Sequence, residues 1–362
     1  MTQASSLDER WQTVCEFAKD NETHWARDPV KDASNWGIHL ADRPPWNRLL
    51  GPVFDRGEPS GIVNHKGIDV CQWGTPNRAD LTFSIAKTYL ALLAGVAYDR
   101  GLISDVHAPV AEAVSDIGFE SEHNRLITWH QLLQQTSEWR GELFEVSDQV
   151  DHYRRLSFEP PLPDPDSWPA KGSPRPAKTP GTYWEYNDVR INQLSLALAH
   201  LFREPLPAVF SSAIADPLGL SNTWAWHGYD NSWIEVNGRS FQSVPGGSHW
   251  GGGVRISAAD QMLVARLMLN HGQWQGKQLL SAAWIERMQQ PCDIAPYYGY
   301  LLWLNPNRTS FPSAPASAHF AIGAGSSVAA HLPEQELAIV MRWIRADAVD
   351  ELVGLVRKAI DC

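Results

Sequence analysis

Ser84-Ile85-Ala86-Lys87, followed without a break by Thr88-Tyr89-Leu90-Ala91-Leu92-Leu93-Ala94-Gly95-Val96-Ala97, decides how this chain is read. The apolar run predicts a buried helix with Ser84 in its first turn, and three residues of helix bring Lys87 back to the face that carries Ser84. A serine hydroxyl is a weak nucleophile near neutral pH until a neighbour takes its proton, and a desolvated lysine can do so without a histidine. The free N–H groups and dipole of a helix N-terminus also favour developing negative charge. Lys87, with apolar residues on both sides, is expected to be buried, and a buried lysine needs a partner or a task. The tetrapeptide alone is weak evidence, because a chain of this length contains about one such match by chance.

Its company makes it specific. Leu126-Ile127-Thr128-Trp129-His130-Gln131-Leu132-Leu133-Gln134-Gln135-Thr136-Ser137 is followed by Pro180-Gly181-Thr182-Tyr183-Trp184-Glu185-Tyr186-Asn187-Asp188, and later by Gly251-Gly252-Gly253-Val254-Arg255-Ile256-Ser257-Ala258-Ala259-Asp260. In order and spacing these segments resemble the serine β-lactamase and penicillin-binding-protein superfamily. The resembling branch is that of class C β-lactamases, related esterases and 6-aminohexanoate-dimer hydrolases, with Ser-x-x-Lys as first motif and Tyr-x-Asn as second. The glycine-rich stretch is similar to that family's turn into a helix, with Ser257 and Asp260 read as a capping box.

The resemblance implies an α/β (α+β) fold, an antiparallel sheet flanked by N- and C-terminal helices with an inserted all-helical domain. Its boundaries fall at 1–83 with 222–362 for the sheet domain and 84–221 for the helical one, with a proline-rich loop at 158–180 bordering the cleft. It implies Ser84 as nucleophile, Lys87 and Tyr186 as proton carriers, and the N–H groups of Ser84 and Ala324 as oxyanion hole. Where the family has Lys-Thr-Gly or His-Thr-Gly, counting back from Pro333 finds Ala321-Ile322-Gly323, so the cation and hydroxyl are missing while Gly323 still permits close backbone approach. Arg140, Arg190 or Arg255 remain as sources of a cation from another segment. Asp188 replaces the usual asparagine. Its charge is expected to hold Lys87 as an ammonium and leave Tyr186 as the immediate base, the alternative being that Asp188 only caps the following helix. Trp139, Trp184 and Trp250, three of 17 tryptophans, are the expected aromatic wall of the substrate pocket.

Local patterns agree with that architecture. Gly61–Asn64 and Ile68–Trp73 flank a tight turn, Ser327–Leu332 and Leu337–Trp343 flank Pro333-Glu334-Gln335-Glu336, and both pairs read as hairpins. Leu7–Trp25 reads as a helix with Trp11, Val14, Cys15 and Ala18 on one side, and the closing segment carries Val349, Leu352, Val353, Val356 and Ile360 at helical spacing.

The chain has 362 residues, 43% hydrophobic and 20% charged, and a net charge of −11 that argues against nucleic acid as partner. No apolar run reaches the roughly 18–20 residues of a membrane span. The first ten residues show neither a basic start nor an apolar core, so a cytoplasmic setting without a secretory signal is expected. Cys15, Cys71, Cys292 and Cys362 lack metal-ligand spacing and read as reduced thiols. No metal or cofactor motif is present. The expected activity is a serine hydrolase cleaving a small ester or amide through an acyl-serine intermediate. The alternatives are a β-lactamase with altered substrate-carboxylate recognition, and a catalytically idle ligand-binding member of the fold.

Overall fold

Residues 9–162 and 164–361 are described by a computed structural model of the chain. Ser60–His65 and Ile68–Trp73 pair antiparallel through a turn at Lys66 and Gly67, both at positive φ. Ser327–Leu332 and Leu337–Arg342 form the second expected hairpin. The two join where Ser60–His65 pairs with Leu337–Arg342, so strands from both ends of the chain share one sheet. His319–Gly323 and Trp303–Leu304 extend it to six antiparallel strands. Three of its four inner strands, from 327 to 342 and 60 to 65, are almost wholly buried, which is why they do not alternate between apolar and polar residues.

The helix Ala258–Leu269 packs on these central strands. The N-terminal helix Glu9–Asp20 packs against the C-terminal helix Val349–Asp361 and against Ile68–Trp73. It is shorter than the expected 7–25. The Asn21 side chain caps the Phe17 carbonyl at 2.9 Å and Glu22 then bridges to Ile344, while Leu7 and Asp8 lie outside the described residues. Among the described residues no helix is long and apolar enough to cross a membrane.

A second sheet of three strands has no hairpin signature in the sequence. Ala79–Leu81 and Ala225–His227 both pair with Gly253–Ser257, and the Thr82 N–H continues that pairing to the Val254 carbonyl at 2.8 Å. This small sheet delivers the chain to Ser84. Ser257 does cap its helix, its Oγ accepting from the Asp260 N–H. The Asp260 carboxylate does not return the bond, however, and turns to the N–H and hydroxyl of Ser221. The reciprocal capping box sits instead at Thr128 and Gln131.

Between Ser84 and residue 221 the regular elements are mainly helices, among them Ile85–Asp99, Trp129–Leu133, Asp188–Phe202 and Leu206–Phe210, with one short hairpin of Glu142–Leu143 with Val146–Ser147. The proline-rich stretch 158–180 has no regular element among its described residues. It is anchored by Arg175, whose buried guanidinium pairs with Glu138 beyond the Thr136-Ser137 turn and with Glu185, 2.9 Å away, just before Tyr186. One arginine thereby joins three segments around the cleft. Removing either kind of partner would leave an uncompensated buried charge.

Candidate active site

Ser84 occupies the N-cap position of Ile85–Asp99, yet its side chain makes no capping bond. Its Oγ faces the Lys87 amine, with Nζ to Oγ at 2.8 Å. The helix behind it is buried from Ile85 to Ala97, and Lys87 is only 1% exposed. The residue before the serine, Phe83, has a φ of 52°, a costly conformation for a bulky side chain. It is held there by three tryptophans: Trp25 edge-on at 5.2 Å, Trp36 at 5.8 Å and Trp343 edge-on at 6.2 Å.

Gly323 ends its strand against this turn. A Cβ there would lie 1.9 Å from the Thr82 carbonyl oxygen and 3.1 Å from the Ser84 nitrogen, so only glycine allows the approach. Ala324, the next residue, lines the same cavity as Ser84. That cavity, about 250 Å³, is bounded further by Ile38, Leu156, Phe158, Tyr186, Trp303 and Ile322. Among the described residues no Asp, Glu, Lys, Arg or His lines it. It shares Ser157, Phe158 and Ala346 with a wider, polar hollow of about 810 Å³ that holds His24, Arg345 and Asp347.

Tyr186 is buried with its ring stacked on Trp303 at 5.6 Å and lies under two basic groups, Lys87 Nζ at 4.8 Å and the Arg154 guanidinium at 5.2 Å from the ring centre. Asp188 opens the helix Asp188–Phe202, but the cap is Asn187, whose side chain accepts from the N–H groups of Val189 and Arg190. The Asp188 carboxylate is therefore free to turn inward. Its Oδ1 meets Lys87 Nζ at 2.5 Å, and its Oδ2 meets Arg154 at 2.7 Å and His249 Nδ1 at 2.6 Å.

Behind it lies a buried charge cluster. His249 points its other nitrogen at Asp42, 2.9 Å away, and stacks on Trp250 with ring centres 4.0 Å apart. Lys171 pairs with both Asp42 and Asp151, and Asp151 also pairs with Arg154 and accepts from the Asp188 N–H. Asp151, Asp188 and His249 bring ligand-type atoms within 4.8 Å of one another. Arg154 reaches toward all three, at 2.7 Å from Asp188, 3.3 Å from Asp151 and 3.5 Å from His249, so the cluster's charge is met by a guanidinium.

These surroundings set the protonation states. A histidine with a carboxylate against each ring nitrogen must donate from both; burial opposes the charge, but Asp151, Asp188 and Asp42 hold His249 above its usual value. Three carboxylates then face Arg154, Lys171 and His249, and the cluster is balanced before Lys87 is counted. Burial pushes the Lys87 amine below its ordinary value in spite of Asp188. Burial, helped by the Asp188 charge, pushes the Tyr186 phenol above its own. Burial would also raise Asp188, but Lys87, Arg154 and His249 hold it well below the carboxylate range. These directions run against the expectation that Asp188 keeps Lys87 charged and Tyr186 acidic: at the amine burial, with Arg154 nearby, outweighs Asp188, and at the phenol burial dominates.

Of the expected pocket residues, Gly323 lines the cavity and the three tryptophans do not. Trp139 is core, its indole N–H bonded to the Gly118 carbonyl. Trp184 packs behind Tyr186 and Trp303, and Trp250 donates to Asp42 and the Trp46 carbonyl. Trp303 is the tryptophan that forms the wall. None of Arg140, Arg190 or Arg255 lines the cavity either. Arg190 is consumed by Glu138 and Asp148, Arg140 bonds the Arg175 carbonyl, and Arg255 bonds the Ala79 carbonyl.

Comparison with the sequences of curated proteins finds no match. Solved structures match over nearly the whole chain. EstCE1, a hydrolase with promiscuous acyltransferase activity, aligns at a TM-score of 0.61 and 15% identity, covering 98% of both chains. A penicillin-binding-protein homologue from Caulobacter crescentus aligns at 0.61 and 14%, covering 99% of this chain and 100% of the other. A Bacillus anthracis protein provisionally described as a 6-aminohexanoate-dimer hydrolase aligns at 0.59 and 15%, covering 83% and 77%. These likenesses concern the fold. The profile of the family described as Beta-lactamase matches residues 70–351, the stretch that holds Ser84, Lys87, Tyr186, Asp188 and the second hairpin, and the chain belongs to that family.

Proposed function

We propose that this protein is a serine hydrolase that cleaves small uncharged esters or amides through an acyl-Ser84 intermediate. The observation that carries the reading is the 2.8 Å contact between Lys87 Nζ and Ser84 Oγ in a buried setting. A lysine whose ammonium form is penalised by burial is the base that a serine nucleophile needs.

In this reading neutral Lys87 takes the Ser84 proton as Oγ attacks the substrate carbonyl. The oxyanion forms against the N–H groups of Ser84 and Ala324. The resulting ammonium is stabilised by Asp188, and the proton passes by way of the Tyr186 hydroxyl to the departing alkoxide or amine. Water, deprotonated by the same amine, then releases the acid. The substrate class follows from the cavity wall: Ile38, Leu156, Phe158, Trp303 and Ile322 suit a short neutral acyl group, and a substrate carboxylate would find no cation among them. A cytoplasmic setting belongs to the same proposal.

Incubation of the folded protein with a fluorophosphonate probe, followed by peptide mass spectrometry, tests the reading. The adduct is expected on Ser84, and its absence in Lys87→Ala. A folded protein that acquires no adduct on Ser84 is a binding protein, and the proposal fails.

A further inference from the structure

The N-terminal helix and the edge strand Ile68–Trp73 are joined by two cysteines. Cys15 Sγ lies 3.6 Å from Cys71 Sγ, the residues 9% and 4% exposed and separated by 55 intervening positions. Cys15 sits on the buried side of Glu9–Asp20 beside Val14 and Ala18, and Cys71 is the buried centre of its strand. The two side chains thus meet across a packed helix–sheet interface. Neither takes part in the chemistry around Ser84.

We propose that Cys15 and Cys71 are a thiol pair that a hydroperoxide converts to a disulfide, locking the N-terminal helix onto the sheet. The sulfurs already touch at van der Waals distance, so closing the bond needs a movement of about 1.5 Å between them. The hydrogen bond from the Cys71 thiol, with Lys19 one turn away, offsets burial and brings Cys15 down to about 7, which makes Cys15 the attacking sulfur. Its thiolate displaces hydroxide from hydrogen peroxide to give a sulfenic acid. Cys71 then loses its proton and attacks that sulfur, expelling a second hydroxide. In sum, two thiols and one peroxide give one disulfide and two waters.

The cross-link acts at the root of a long irregular segment. Between the N-terminal helix and Ser60 only two short turns of 3₁₀ helix are present, yet this stretch supplies Trp25 and Trp36 to the Phe83 clamp and Asp42 to His249. Fixing one end of it restricts the unfolded chain and the fraying of the helix.

The reduced wild-type protein is treated with hydrogen peroxide, denatured in excess N-ethylmaleimide, digested and analysed by mass spectrometry. The expected result is a Cys15–Cys71 cross-linked peptide, with Cys292 still alkylated, full reversal by dithiothreitol, and a melting temperature about 5 °C above that of the reduced protein. Cys71→Ala is expected to lose both the cross-link and the peroxide-dependent rise. Recovery of Cys15 and Cys71 as alkylated thiols, or of Cys15 as a sulfinic acid with no cross-link, overturns the proposal. A cross-link that leaves the melting temperature unchanged overturns the locking role.

Discussion

His249 places Nδ1 2.6 Å from Asp188 Oδ2, and this bond makes the electrostatics of the nucleophile depend on a residue that touches neither Ser84 nor Lys87. The imidazolium shares the carboxylate that would otherwise belong to Lys87 alone. Replacing it by a neutral side chain returns that charge to the amine and favours the ammonium, which is inactive as a base. His249→Asn is therefore expected to move the rising limb of the kcat/KM profile to higher pH, with about tenfold less activity near neutrality and recovery in alkali. Initial rates on a p-nitrophenyl ester across pH check this. A uniform loss at every pH would mark His249 as purely structural.

Asp188 contrasts with it. An amide there leaves Arg154, His249 and Lys87 facing one another without their shared anion, so Asp188→Asn is expected to cost about 3–5 kcal/mol of stability. Urea unfolding of the variant measures it, and a loss under about 1 kcal/mol would show that the cluster rearranges around the vacancy.

The pair Ser84 and Lys87 should fail as a unit. Ser84→Ala and Lys87→Ala are each expected to abolish ester turnover, and the double variant to be about as slow as either single one. Additive losses in kcat/KM would mean that Lys87 assists by a route other than the serine proton.

What was legible in the sequence is what repeats locally. Ser84 and Lys87 lie one helical turn apart, and the two hairpins announce themselves by apolar runs on either side of turn residues. The charge cluster has no such signature. Asp42, Asp151, Arg154, Lys171 and His249 come from loops and the end of a short 3₁₀ turn spread over some two hundred positions, and only the fold brings them together. The tryptophan expectation failed for a related reason: nearness in sequence to a motif does not fix which way a side chain points. Trp184, two residues before Tyr186, packs behind it, while Trp303 arrives from a distant strand to form the wall. Beside Trp250 stands His249, whose ring meets Asp188 and Asp42. Its signal was its place just before the glycine-rich turn.

A buried histidine pair predicts acid sensitivity. His319 and His331 are register partners on adjacent strands, stacked with ring centres 4.7 Å apart and fully buried. Burial holds His319 well below its usual value and brings His331 down to about 4. The unfolded chain, with ordinary histidines near 6.5, then binds more protons than the folded one between those values. Stability is expected to be complete above about pH 6.5 and to fall as pH drops toward 4, with about 2 kcal/mol lost through His331 by about pH 5 and a further loss through His319. Urea midpoints measured at the two ends of that range check it, and His331→Gln should flatten the dependence.

The substrate preference rests on the wall opposite Ser84. Where the family that the sequence resembles has Lys-Thr-Gly or His-Thr-Gly, this chain has Ala321 and Ile322 on a buried strand, and among the described residues no acid or base beyond Tyr186 lines the cavity. A charge-assisted contact of the missing kind is worth about 1.5–3 kcal/mol, and at 1.4 kcal/mol per decade its loss removes at least about a factor of ten. Arg345, in the bordering hollow, is paired with Asp347 at 3.1 Å and is not among the residues that line the Ser84 cavity. The value of kcat/KM for p-nitrophenyl butyrate is therefore expected to exceed that for nitrocefin by about tenfold or more. A higher value for nitrocefin would mean that a cation reaches the substrate from outside the cavity and that the protein acts as a β-lactamase.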